Sequence, residues 1–204
     1  PNWRDDLRDF KKLGRPRLFF GISGGCMDSM VNKYTANKRL RSEDAYTPDG
    51  RPDMRPDYPS TVYSQILKKL FPDVPVVIGG IEASLRRLSH YDYWQDKVQK
   101  SILCDSGADL LIYGMGEKPL ADLVKNMKSL LTTEEPVLTS SKFRTIIGSV
   151  PQTAYLCRAT EWTSAEDDLQ LYSHEECLAD KKKQASNFRH IEDCLLYTSD
   201  AADE

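Results

Sequence analysis

The chain has 204 residues, of which 40% are hydrophobic and 29% charged, which suits one ordinary soluble domain or one domain plus an extension. No apolar run approaches the ~20 residues that a membrane span needs, and no basic segment followed by an apolar one reads as a secretory signal. A net charge of −3 is too small to imply a nucleic-acid surface.

The elements follow in chain order. Over residues 3–13, Trp3, Leu7, Phe10 and Leu13 recur at helical spacing, with Gly14 as a stop and Pro16 beyond it. Residues 17–23 form an apolar run that stops at Gly24-Gly25 and read as a strand. Met27, Met30, Val31 and Tyr34 then share one face of a helix predicted over 27–36. Residues 37–59 carry Pro48, Pro52, Pro56 and Pro59 among Arg and Asp, which is turn chemistry without periodicity. So long a loop in a compact domain is functional, disordered or a surface insertion. Ser60 is the predicted N-cap of a helix whose apolar stripe is Val62, Ile66, Leu67 and Leu70.

Two further apolar runs, 76–78 and 110–113, are too short for helices and stop at glycine, as buried parallel strands do. Between them, 82–106 has a helical pattern with a break near 89–91. Residues 117–130 form a helix with Leu120, Leu123, Val124 and Met127 inward. This alternation predicts an α/β fold, a Rossmann-like parallel sheet with flanking helices. After Leu131 it ends. Residues 143–148 and 153–157 are expected as a hairpin around Pro151. Ser173 and Glu176 fit a capping box that opens a charged helix to about Ile191, whose three-lysine run reads as a solvated face.

Cysteines 26, 104, 157 and 177 are scattered, with no Cys-x-x-Cys pair, and read as reduced thiols of a cytoplasmic protein. Residues 194–204 are similar to the translation of a sequencing adapter. Without them the acidic count falls by Asp200, Asp203 and Glu204 from 31 to 28, balancing the 28 Lys+Arg.

Three constellations point to chemistry. The loop Ser23-Gly-Gly-Cys-Met-Asp28-Ser29 resembles the ATP loop of pyrophosphatase-type adenylating enzymes, with one residue more between Gly25 and Asp28. That residue rotates Asp28 by ~100° around a following helix. Gly79, Gly80 and Ser84, with Gly114, Gly116 and Glu117, lie just past two strand ends, where open α/β sheets bind ligands. They are the candidate cofactor-binding residues, and this pair of motifs resembles the cobalamin-binding-type domain ahead of many radical SAM barrels. The plainer reading is that these are packing glycines. Residues 84–94 gather Arg86, Arg87, His90, Tyr91, Asp92, Tyr93 and Trp94 and read either as an interface or ligand contact or as helix capping with a buried tryptophan.

Residues 13–23, 27–32, 34–38, 44–48 and 79–94 together resemble the amino-terminal domain of YgiQ-type radical SAM proteins, departing from the family at Gly25-Cys26. The resemblance implies a catalytic barrel further downstream, with a 4Fe–4S cluster on a Cys-x-x-x-Cys-x-x-Cys motif and S-adenosylmethionine on its unique iron. No such motif occurs here. The expectation is therefore a fragment cut at both ends and lacking a first strand before Pro1. It comprises a Rossmann-like domain over 1–131, an extension over 132–193 leading towards the barrel, and a non-native tail over 194–204. It is not catalytic alone and binds no cofactor itself, its partner being its own barrel. Whether cobalamin binds is not decided by the residues. The alternatives are a nucleotide-binding ATP-pyrophosphatase-like domain and a non-catalytic interaction module.

Overall fold

The computed structural model describes residues 1–12, 14–131 and 137–199, the last six by backbone only. Leu13 and the whole of the expected tail, whose first residues continue a helix to Ser199, lie outside the described side chains. The chain divides into two compact units, Pro1–Arg87 with Ile102–Leu156, and Leu88–Ser101 with Cys157–Glu204.

The first unit opens with α1 (Arg8–Lys11), β1 (Phe20–Ser23), α2 (Ser29–Lys33), α3 (Pro59–Leu70), β2 (Val76–Gly79) and α4 (Gly80–Leu85). In the second unit the chain forms β3 (His90–Asp92) and β4 (Lys97–Gln99). It returns to the first with α5 (Ile102–Ser106), β5 (Leu110–Ile112), α6 (Glu117–Lys128), α7 (Ser140–Phe143) and β6 (Thr153–Ala154). The second unit closes with α8 (His174–Ala179) and α9 (Lys181–Ser199).

The main sheet has the order β1-β2-β5-β6. β1 and β2 are parallel in the register Phe20↔Val76 to Ser23↔Gly79, and β5 joins parallel through Val77↔Leu110. Val76 and Ile78 lie on one face with Leu67, Ile102, Leu103 and Leu111; Val77, Leu110 and Ile112 lie on the other with Leu123, Met127, Leu138 and Phe143. Central strands buried on both faces are what all-apolar runs demand. Edge strand β1 alternates half-buried and exposed positions instead.

Four expectations are corrected. Residues 143–148 are no strand: α7 ends there and a 3₁₀ turn follows at Ile147–Ser149. Phe143, Ile147 and Val150 fall three to four residues apart and all enter the core, which is helical spacing. Only the second half of the expected hairpin pairs, as β6, antiparallel to β5. The helical reading of 82–106 fails over 86–101, where β3 and β4 form an antiparallel hairpin pairing Tyr91 with Val98. Its turn is closed by Asp92, whose carboxylate accepts the Gln95 amide at 3.0 Å, and by Asp96 in the left-handed region at φ 53°. The helix expected over 27–36 shortens to α2, because Tyr34 turns extended and bridges to Leu40.

Finally, Ser60 is not an N-cap. α3 starts one residue earlier with Pro59 at its first position, preceded by Tyr58 in the left-handed region. Ser60, Ser64 and Leu67 make its buried face. Serine there is small enough to bring the helix close to its neighbours.

In the second unit, the Ser173–Glu176 capping box forms as expected, with Ser173 Oγ accepting the Glu176 amide and Glu176 accepting that of Ser173. Asn187 on α9 holds the Tyr172 backbone from both sides, its Oδ1 accepting the amide at 3.0 Å and its Nδ2 donating to the carbonyl at 2.9 Å. Ser89 and His174 Nδ1 lie 3.0 Å apart, tying the hairpin to α8. No helix among the described residues is long and apolar enough to cross a membrane.

Candidate functional site

Three parallel strands end side by side, and the turns that leave them form the candidate site. β2 passes directly into α4, which requires Gly80 to adopt φ +80°, a region that residues with a Cβ rarely enter. A Cβ on Gly80 would stand 2.6 Å from Ser23 Oγ at the end of β1. One on Gly79 would stand 3.3 Å from the Ile112 carbonyl oxygen of β5. Gly114 donates its amide to Ser84 Oγ at 3.3 Å, and a Cβ on it would meet Gln152 Nε2 at 3.2 Å. Gly79, Gly80, Ser84 and Gly114 are thus drawn together across neighbouring turns. Gly116 and Glu117 stand at the start of α6, Gly116 beside the Ile112 side chain and Glu117 exposed. At Gly79, Gly80 and Gly114 the room left by the missing Cβ is taken up by the chain's own atoms.

Beneath these turns the charged groups face inward. Glu82 is fully buried on α4. Its Oε1 accepts the Ser60 amide at 2.9 Å, so a carboxylate from another element neutralises the start of α3. Its Oε2 has no hydrogen-bond partner among the described residues and packs on Gly24, where a Cβ would come within 2.9 Å. Asp28 caps α2 by accepting the amides of Met30 (3.0 Å) and Val31 (3.2 Å), and it pairs with Arg86. The Arg86 guanidinium also lies 5.3 Å over the Tyr58 ring.

These contacts bear on the resemblance of 23–29 to an ATP loop. The amides at the start of five-residue α2 are committed to Asp28. Gly25 is covered by the Tyr46 ring, whose Cζ would lie 2.7 Å from a Cβ there. A phosphate cradle needs open glycine amides and an open helix start, whereas the Gly25 amide is donated to Ser23 Oγ at 3.2 Å and the start of α2 is taken by Asp28.

The long loop 37–58 is held down by an ionic network. Buried Asp44 accepts from Asn32 Nδ2 (2.7 Å), the Tyr46 amide (2.9 Å) and Arg55 Nε (2.9 Å). Arg55 also donates to the Gly24 carbonyl at 3.2 Å and stacks 4.6 Å over Tyr46. Burial by itself would raise the Asp44 carboxyl, but the Tyr46 amide, Arg55 and Asn32 together hold it below its ordinary value. Lys33 Nζ reaches Asp53 at 2.9 Å, Asp57 at 2.8 Å and the Arg55 carbonyl at 2.9 Å. Desolvation pulls its ammonium down, and the two carboxylates outweigh that and raise it. Glu82, Lys33, Asp44 and Arg55 were not singled out from sequence. Only the abundance of Asp and Arg in 37–59 hinted at pairing.

The cluster 84–94 is divided between the units. Arg87 belongs to the first, donating to the Ser84 carbonyl at 2.7 Å and lying 4.9 Å over the Tyr113 ring. His90–Asp92 is strand β3 of the second.

Among the described residues no group of three or more His, Cys, Asp or Glu could hold a metal ion. Cys26, Cys104 and Cys157 are exposed singly and Cys177 is buried beside Asn187 Nδ2, 3.2 Å away. These four thiols, the ones among the described side chains, do not fit the three-cysteine cradle of an iron–sulfur cluster.

The radical SAM N-terminal family model matches residues 1–199. The chain belongs to that family. It is 82% identical over 193 residues to a UPF0313 protein of Bacteroides thetaiotaomicron, covering 95% of this chain and 31% of that protein. It is 65% identical over 192 residues to a UPF0313 protein of Porphyromonas gingivalis, covering 94% and 29%. A UPF0313 protein of Thermotoga neapolitana is 56% identical over 125 residues, covering 61% and 22%. The chain therefore spans under a third of the length of these curated relatives. No solved structure matches it. The radical SAM N-terminal domain seen here is a mainly parallel α/β sheet flanked by helices.

Proposed function

We propose that this domain is the non-catalytic accessory part of a cytoplasmic radical SAM enzyme, whose 4Fe–4S cluster and S-adenosylmethionine are held by a barrel further along the polypeptide. The observation that supports this most is the family match over nearly the whole chain, in relatives about three times its length. Within the domain, the glycine turns at the carboxyl edge of the sheet, with Ser84, Gly116 and Glu117, are the face we assign to the enzyme's interior. The chain's own role is positional: the buried pairs beneath that edge hold the turns rigid, so that the edge is presented in one shape. Nothing in the geometry favours cobalamin.

The test is to prepare the full-length protein and the isolated chain anaerobically with iron and sulfide. The full-length protein should hold a 4Fe–4S complement of iron and labile sulfide and turn over S-adenosylmethionine. A full-length protein that holds neither would overturn the reading.

A further inference from the structure

The carboxyl edge of the sheet is inside out. Asp28, Glu82 and Arg87, which a free surface would display, are buried and paired or hydrogen-bonded within the domain. Large apolar side chains are turned outward at the same edge, beside the exposed Glu117: Met27 is 45% exposed, Ile81 47%, Leu85 58% and Met115 71%. Met27 follows β1, Ile81 follows β2 and Met115 follows β5, so one apolar residue stands past the end of each of three adjacent parallel strands. Strands lie about 5 Å apart, so the three strand ends that these residues follow span roughly 10 Å. α4 follows the middle one. It is tied to the Met27 side by Arg86–Asp28 and to the Met115 side by the Ser84–Gly114 hydrogen bond. Ile81 and Leu85, four residues apart, lie on one side of that helix.

Single exposed apolar residues are ordinary, but a row of them over buried charges marks a surface that is covered in use. A Cβ on Gly80, Gly79 or Gly114 would meet Ser23, Ile112 or Gln152, so these glycines are packed against neighbouring turns.

We propose that Met27, Ile81, Leu85 and Met115 form a dry docking surface, and that its occupant is the downstream remainder of the same polypeptide. Relatives carry more than twice this chain's length beyond the matched part. A tethered partner acts at an effective concentration of about millimolar, far above that of a second copy in solution. The inference rests on the accessory-domain reading and names the surface by which that domain meets the enzyme.

Methionine oxidation tests it, because all five methionines have defined settings. Met27, Met54 and Met115 are exposed, and Met30 and Met127 are buried. Dilute peroxide converts exposed thioethers to sulfoxides. Mass spectrometry of the isolated chain should show Met27, Met54 and Met115 oxidising fast and Met30 and Met127 slowly. In the full-length protein Met27 and Met115 should slow by about tenfold or more while Met54 is unchanged, since burial governs the rate. Ile81→Lys should restore their oxidation in the full-length protein and leave the melting temperature of the isolated chain unaltered. Equal rates for Met27 and Met115 in both proteins would overturn the proposal. So would protection already present in the isolated chain with a dimer in sedimentation, which would make the occupant a second copy. The footprint is read independently of iron content, so a failed enzyme assignment and a failed docking surface give different results.

Discussion

Replacing Asp44 with Ala removes the centre of the network that holds residues 37–58. Three donors lose their acceptor: Asn32 Nδ2, the Tyr46 amide and Arg55 Nε. The pair is well shielded, with side-chain exposures of 3% for Asp44 and 13% for Arg55. Arg55 would keep its Gly24 contact but stay buried without its anion. Stranding one partner of a buried pair costs about 3–5 kcal/mol. At roughly 2–4 °C per kcal/mol for a domain of this size, melting should fall by about 6–20 °C. Asp44→Asn keeps an acceptor for Asn32 and the Tyr46 amide and loses the charge, so about 1.5–3 kcal/mol is expected, the range for a hydrogen bond to a charged group. Thermal unfolding by circular dichroism measures the cost, and limited proteolysis shows whether 37–58 becomes cleavable. If Asp44→Ala melts with the parent and its loop resists protease, the loop is not held by this network.

The same network sets a pH window. Asp44 and Asp53 are lowered from an ordinary value of 3.8, so their stabilisation is present above that pH and is lost as pH falls through their folded values. Lys33 is raised above 10.5, so its share is complete below that pH and is lost only as pH rises through the higher folded value. Stability should therefore be flat between these limits and fall outside them, and Asp44→Asn should flatten the acid limb. Gly80→Ala should destabilise the isolated chain by about 1–3 kcal/mol, through its positive φ and its approach to Ser23. Ser23→Ala should recover the part due to the approach, and a double-mutant cycle showing no coupling would contradict that contact. Burial pushes the Cys177 thiol up, so alkylation should modify Cys26, Cys104 and Cys157 in the folded chain and reach Cys177 only on unfolding. Deleting the expected tail, residues 194–204, should leave the melting temperature unchanged, and a drop of several degrees would show that it contributes to the fold.

The strands of the sheet were legible because they obey a local rule: an apolar run, too short for a helix, that stops at glycine. Val76–Gly79 and Leu110–Ile112 needed nothing more. The hairpin at 88–101 was not legible, since Arg86, Arg87 and Leu88 continue the helical pattern of α4 until Asp92 and Asp96 close a turn. The start of α3 was misplaced for a related reason. Ser60 has the chemistry of a cap, but the start of the helix is neutralised by Glu82, 22 residues away. The glycines of the candidate site were visible by position, whereas what fills the space beside them, Ser23 and Gln152, depends on how neighbouring strands register. The order within loop 37–59 was not legible because its pairs, Lys33 with Asp57 and Asp44 with Arg55, are non-local contacts without periodicity.

The role we propose for this chain is to position part of an enzyme whose chemistry lies elsewhere on the polypeptide. The most direct measurement is iron, labile sulfide and S-adenosylmethionine turnover in matched anaerobic preparations of the isolated chain and the full-length protein. A cluster and turnover are expected in the full-length protein, and neither in a folded isolated chain. A stoichiometric cluster or turnover in the isolated chain would contradict it.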